Sequence, residues 1–145
     1  MKTTAFVLVG NVLIIVHSEA PPSDEEWEAY VSVIRSVKDL SKLRCIAFTD
    51  GGAPNSSQRK LLNEALKNRP LQAAAVSSST LVRGVVTALN WFNPLVRAFA
   101  PERLGEAYQY LKLSREEVSA VNKAISALQK ELGISLRCLN NIRVA

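Results

Sequence analysis

Residues 50–58 hold the polar groups of this chain that are best placed to do chemistry. They follow an apolar run at residues 43–48, and Asn55 with Gln58 forms the pattern of a helix capping box. The free N–H groups of a helix start favour an anion such as a phosphate, a nucleotide or a phosphoserine. The sequence therefore predicts an anion-binding or phosphoacceptor loop, or a plain capped helix behind a flexible loop, at Asp50, Gly51, Gly52, Asn55, Ser56 and Ser57.

A second polar helix start follows the next predicted strand. Arg83 lies one turn into that helix, where a guanidinium suits an anion or a carboxylate. If the two preceding strands are neighbours, both helix starts share one edge of the domain. The candidate residues are Ser78, Ser79, Thr80 and Arg83, and the alternative is an N-cap with spare serines.

Trp91 and Phe92 end the same predicted helix, directly before an Asn-Pro pair. Phe92 belongs to the apolar face of the helix, which leaves Trp91 pointing elsewhere. An exposed Trp beside a Phe is typical of a contact with a partner or a lipid. The same pair could instead pack against the rest of the domain, and the sequence leaves both interpretations open.

Catalytic and metal chemistry have little to build on in this sequence. His17 is the only histidine and stands at a strand end, where we expect a surface position. A catalytic triad or a metal site would need partners that the sequence does not offer at usable spacing. Cys45 and Cys138 match no disulfide framework and no metal pattern, which favours a reduced, cytoplasmic protein. We therefore predict no enzyme activity, no metal and no cofactor.

Length and charge narrow the class of protein further. A chain of 145 residues suits one domain with a real core. The net charge is +5, but the 18 basic residues are spread along the chain, and the only dense charge cluster, at residues 24–28, is acidic. A nucleic-acid-binding protein would be expected to show a basic stripe interleaved with aromatics. The composition therefore disfavours nucleic acid as a partner.

The apolar N-terminal segment admits two interpretations. Lys2 followed by the apolar residues 5–16 is typical of a secretory signal peptide. Gly10 and Asn11 interrupt this run between two β-branched stretches, which favours a β-hairpin over residues 4–9 and 12–17. We expect the hairpin, and no run is long enough for a transmembrane helix.

The elements that must position these residues alternate along the chain. Three further strands are predicted at residues 43–48, 71–76 and 95–100, each followed by a helical pattern. The order ββαβαβαβα plus one more helix implies right-handed crossovers. The predicted fold class is therefore α/β, with a mixed, mostly parallel five-stranded sheet.

The element order and the loop after the third strand resemble STAS-like domains, which include the anti-sigma-factor antagonists and the related SEC14-like bacterial proteins. The resemblance covers residues 6–113. The family has Asp-Ser-Ser-Gly at this helix start, and here Asn55 replaces the acid and Gln58 the glycine. The resemblance implies a STAS-like fold in which Ser57, beside Ser56, is phosphorylated by a partner kinase. STAS-like folds also serve as transporter tails and lipid-associated modules.

The last part of the chain lies outside that resemblance. Residues 114–133 predict a helix with a narrow apolar seam at Val118, Val121, Ile125, Leu128 and Leu132. So narrow a seam suits one partner helix better than a sheet, either the preceding helix of the same chain or a second copy in a homodimer. Residues 134–145 form a tail for which a short strand and disorder are both open.

Two functions therefore remain open. The first is a cytoplasmic regulatory module that binds a protein partner and is switched at Ser56 or Ser57. The second is a domain that binds a small ligand or a lipid in an apolar pocket near Trp91. A closed core with an exposed loop would favour the first function, and an apolar cavity would favour the second.

Overall fold

Five strands of the sheet lie side by side in their chain order. The computed structural model describes residues 2–139 except 79, 81–83, 85 and 87–92, and these counts refer to that part of the chain. β1 is antiparallel to β2, and each later strand is parallel to the strand before it. The single-domain α/β fold with a mixed five-stranded sheet is confirmed. The strands are Thr4–Val9 (β1), Val12–His17 (β2), Arg44–Thr49 (β3), Gln72–Val76 (β4) and Val96–Phe99 (β5).

The predicted hairpin forms the start of the sheet. Val9 pairs with Val12, so the connection has two residues, and Gly10 takes a φ of +60°. Glycine adopts this left-handed conformation without the steric cost that a side chain would add. The β-branched run at the N-terminus is therefore two strands of the core sheet.

Four α-helices are present in the described residues, and the local start signals place three of them. The predicted capping boxes Ser23–Glu26, Asn55–Gln58 and Ser114–Glu117 all form. Pro101–Arg103 is a 3-10 turn before the third helix, and a further 3-10 turn, Leu40–Lys42, follows the first. The helices are Asp24–Arg35 (α1), Ser56–Ala65 (α2), Leu104–Tyr110 (α3) and Arg115–Leu132 (α4).

The helices cover the two faces of the sheet in different ways. α1 and α2 connect consecutive parallel strands, so right-handed crossovers place both on one face, which we call the crossover face. α3 lies on β4 and β5, and α4 lies on β1 and β2, on the opposite face. Alternate strand residues divide accordingly, with Leu13 and Ile15 on the crossover face and Ile14 and Phe48 on the other.

The seam of α4 packs on this chain's own sheet. Val121, Ile125 and Leu128 are buried in the same cluster as Ile14 of β2, and Ala124 widens the buried stripe. The expectation that the seam suits a partner helix better than a sheet is therefore wrong. The reason is that β1 and β2 expose a second apolar face, which the crossovers cannot reach. A homodimer stays an untested prediction.

The tail turns back onto the sheet after Gly133, which ends α4 at a φ of +66°. Leu136, Cys138 and Leu139 are buried, and Arg137–Leu139 is a 3-10 turn and not the short strand that the alternating pattern offered. Residues 140–145 lie outside the described part of the chain. The tail therefore completes the core on the α4 side.

Phe48 tests this layout, because it is the largest side chain that is fully buried. We expect Phe48→Ala to lower the free energy of unfolding by about 3–5 kcal/mol, through lost burial and the cavity left behind. The control is Leu95→Ala, since Leu95 is 42% exposed and should change stability by less than about 0.5 kcal/mol. Chemical denaturation measures both, and a loss under about 1 kcal/mol for Phe48→Ala would contradict the layout.

Candidate functional site

The loop between β3 and α2 is packed tightly on the loop that follows β2. The Gly52 N–H donates to the Ser18 carbonyl at 2.8 Å, and a Cβ on Gly52 would lie 2.2 Å from the Ala20 oxygen. The Thr49 hydroxyl donates to the Gly52 carbonyl at 2.7 Å and accepts from the Gly51 N–H at 3.0 Å. Because only a glycine fits so close an approach, Gly52 has a structural reason independent of anion binding.

The start of α2 combines exposed serines with a buried amide. Ser56 and Ser57 are exposed, while the Asn55 side chain accepts from the Gln58 N–H at 2.8 Å. Gln58 is buried, and its side chain donates to the Pro22 carbonyl at 3.0 Å. The Trp27 indole in turn donates to the Gln58 carbonyl at 2.7 Å. These bonds tie α2 to the start of α1 and hold the loop in place.

Asp50 does not face an anion site. Its carboxylate accepts hydrogen bonds from the backbone N–H groups of Arg137 and Cys138, at 3.0 and 3.3 Å. Arg137 also forms an ion pair with Glu19 in the neighbouring loop. A carboxylate at this position disfavours a second negative charge, so the expected role of Asp50 in an anion-binding loop is not supported. The residue anchors the C-terminal tail.

The second predicted helix start falls largely outside the described residues. Ser78 follows β4 and is exposed, as is Thr80, whereas Ser79 and Arg83 are not described. β3 and β4 are neighbours, as the prediction required. Trp91 and Phe92, the predicted partner or lipid contact, also lie outside the described residues.

An apolar cavity of about 120 Å³ lies on the crossover face, between the sheet, α1 and α2. Ala47 and Ala75 pair in register across β3 and β4 and form its floor. Both remain partly accessible, although β3 is the central strand and β4 its neighbour. Its apolar walls include Ile15, Trp27, Leu62, Leu66, Leu71, Val86 and Val96.

Small side chains produce this space. The crossover-face residues of β3 and β4 that line the cavity are Cys45, Ala47, Thr49, Ala73 and Ala75. On the opposite face the same strands bury Ile46, Phe48 and Val76 in a closed core. An alternating pattern of small residues on two adjacent strands was visible in the sequence, but their common face depends on the register of the pairing.

His17 lines the cavity and is only 5% exposed, so the expectation of a surface position is wrong. It ends β2 on the crossover face, where its Nδ1 lies 3.2 Å from the Thr4 hydroxyl of β1. Its Nε2 has no hydrogen-bond partner in the described chain, in which no fully buried side-chain nitrogen or oxygen is left unpaired. Nε2 therefore reaches open space, and the cavity is the space that His17 lines.

Burial lowers the pKa of His17 from 6.5 to about 4, and the attraction of Glu26 opposes this only in part. The imidazole is therefore neutral at pH 7. Burial also raises the pKa of Glu26, but hydrogen bonds from the Thr3 hydroxyl and from the amides of Ser23, Thr3 and Thr4 outweigh it and lower that pKa to about 2. Glu26 thus joins the N-terminal strand to α1.

Arg59 is the only cation that lines the cavity. It stands in the first turns of α2 and is half-buried, and its Nη1 donates to the Pro54 carbonyl at 3.0 Å. It forms no ion pair with any residue that the structure describes. Sequence analysis passed over Arg59, because one arginine in an amphipathic helix carries no signal of its own.

Cys45 and Tyr30 form a polar contact inside the apolar wall, with 3.2 Å between the thiol and the hydroxyl. Burial raises the pKa of the Cys45 thiol to about 11, and burial together with the nearby thiol raises that of Tyr30 well above 10. Both groups therefore stay protonated at pH 7, which makes Cys45 a poor nucleophile.

Comparison with protein-family models, with curated proteins and with solved structures finds no match for this chain. In the described residues, no helix has the length and apolar character that crossing a bilayer requires. The geometry of the cavity is therefore the observation from which a function can be inferred.

The buried imidazole predicts a pH dependence of stability. Between pH 6.5 and 4 the unfolded chain binds a proton at His17 that the folded protein does not, so stability falls as the pH falls through this window. The shift corresponds to about 3 kcal/mol. Chemical denaturation at a series of pH values measures this loss.

The control is His17→Gln, which keeps a polar side chain and removes the titration. Its free energy of unfolding should change less than that of the wild type between pH 6.5 and 4. Both proteins should still lose stability below about pH 4.5, where the low pKa of Glu26 acts. Equal changes in the two proteins over the upper window would show that His17 is not buried in its neutral form.

Proposed function

We propose that this chain binds a small apolar ligand in the cavity on the crossover face. The observation that carries the proposal is the accessibility of Ala47 and Ala75 in the middle of the sheet. Ala74, which points to the opposite face, is 1% exposed. Protein interiors are normally packed to the density of organic crystals, so an accessible floor between two central strands indicates a pocket.

The size of the cavity limits the ligand. Its volume of about 120 Å³ is close to that of an apolar cavity of roughly 150 Å³, which stays dry and binds benzene or xenon. The apolar part of the ligand is therefore about as large as one benzene ring. A whole lipid would not fit, although the end of a chain would.

Benzene is the simplest probe of this function. We expect it to bind the wild type and to raise its melting temperature, because a ligand that binds only the folded state stabilises it. Ala75→Leu should abolish this shift by filling the floor of the cavity. Ala29→Leu makes the same chemical change on the exposed side of α1 and should leave the shift intact.

Calorimetric titration with benzene measures the affinity of the three proteins directly. The proposal predicts binding to the wild type and to Ala29→Leu but not to Ala75→Leu. Absence of both heat and thermal shift at saturating benzene would overturn the proposal. Equal binding to all three proteins would place the site elsewhere on the molecule.

A regulatory module of STAS-like type is a second candidate function. It is supported by the exposure of Ser56 and Ser57 in the first turn of α2, next to Pro54 at the rim of the cavity. A phosphate there would add about two negative charges where the helix dipole favours an anion. A protein partner would then read the phosphorylated loop.

Phosphorylation of Ser57 is tested on the protein purified from its own host. We expect native mass spectrometry to show one phosphate on the wild type and on Ser56→Ala, and none on Ser57→Ala. The same spectra report oligomeric state and any ligand that stays bound. If the wild type carries no phosphate under any growth condition, or keeps it in Ser57→Ala, the switch at Ser57 is wrong.

A further inference from the structure

We propose that the ligand of this cavity is a small monocarboxylate, with its apolar body on the alanine floor and its carboxylate at Arg59. This inference rests on the proposed ligand-binding function and names the class of ligand. Three observations support it: an unpaired cation, a buried ring nitrogen without a partner, and a lining without a carboxylate.

The guanidinium of Arg59 has unused binding capacity at the cavity. Arginine carries five N–H donors in a planar fork, and the Pro54 carbonyl is the one acceptor that the described residues provide. Arg44, which is also half-buried, is paired with the carboxylate of Glu117. A half-buried cation without such a partner is stabilised by an anion that binds beside it, and a carboxylate matches the fork in a bidentate manner.

The charge of the lining favours an anion over a cation. The described residues that line the cavity include Arg59 but no Asp and no Glu. A cationic ligand would meet the guanidinium and no counter-charge, whereas a single negative charge is balanced by the single cation. This complementarity points to a monoanion.

His17 supplies a second polar contact. It is buried beyond nine-tenths, and its Nε2 faces the cavity without a partner among the described residues. If the Thr4 hydroxyl donates to Nδ1, the neutral ring carries its proton on Nε2 and can donate it to a carboxylate oxygen. The ring would hold the ligand without changing its protonation state.

The polar groups lie toward one end of the cavity, which orients the ligand. His17 ends β2, and the loop residues Gly52 and Pro54 follow the end of β3. The lining near the opposite ends of the strands includes Leu66 and Leu71. Ligands of open α/β sheets generally bind toward the carboxyl ends of the strands. The carboxylate is therefore placed at these ends, with the apolar body directed toward the leucines.

The test compares three probes of one shape, benzoate, benzyl alcohol and benzylamine, by calorimetric titration at pH 7. We expect benzoate to bind the wild type at least about tenfold more tightly than benzyl alcohol, from a charge-assisted hydrogen bond, and benzylamine to bind most weakly. Arg59→Gln should remove the preference for benzoate and leave the affinity for benzyl alcohol unchanged. Arg97→Gln is the matched control, because Arg97 is exposed and stacks on Tyr110 outside the cavity.

The outcomes separate this inference from the function on which it rests. Equal binding of benzoate and benzyl alcohol, or tighter binding of benzylamine, overturns the carboxylate assignment but leaves an apolar ligand site. A benzoate preference that persists in Arg59→Gln, or disappears in Arg97→Gln, overturns the role of Arg59. If none of the three probes and no benzene binds, the proposed ligand-binding function itself has failed.

Discussion

Parallel strands that follow one another in chain order require every right-handed crossover to lie on the same face of the sheet. Here β2 to β5 obey that order, so α1 and α2 share one face and cannot cover the other. The opposite face would remain in water without the residues that follow β5. α3, α4 and the turn at Leu136 supply that cover, which explains why the seam of α4 meets the sheet.

The two covers differ in how completely they fill the space above the sheet. The α4 face carries Ile14, Ile46 and Phe48 in full burial, and its core is closed. The crossover face presents Ala47 and Ala75 at the centre of the sheet, where no larger side chain fills the gap. An unfilled apolar space loses dispersion contacts, so a sequence that leaves one sacrifices stability at that point. Binding of a ligand would restore those contacts.

Hydrogen bonds between the loops set the rim of this space before any ligand arrives. The buried side chain of Gln58 holds the start of α2 against the start of α1, and Gly52 lies against the Ser18 carbonyl. Asp50 fastens the same loop to the tail from the other side. A rim ordered in this way reduces the conformational entropy that binding would otherwise cost.

Local chemistry alone determined the elements of this protein. Ser23, Asn55 and Ser114 cap their helices, and Gly10 closes the hairpin, through contacts only a few residues apart along the chain. The alternating order of these elements also determined the α/β class.

Only the tertiary structure decided the burial of His17 and the binding of Asp50 to the tail 87 residues away. It also brought the alanines of two strands onto one floor beside Arg59. These features depend on strand register and on contacts between distant residues, and neither is encoded in any short stretch of sequence.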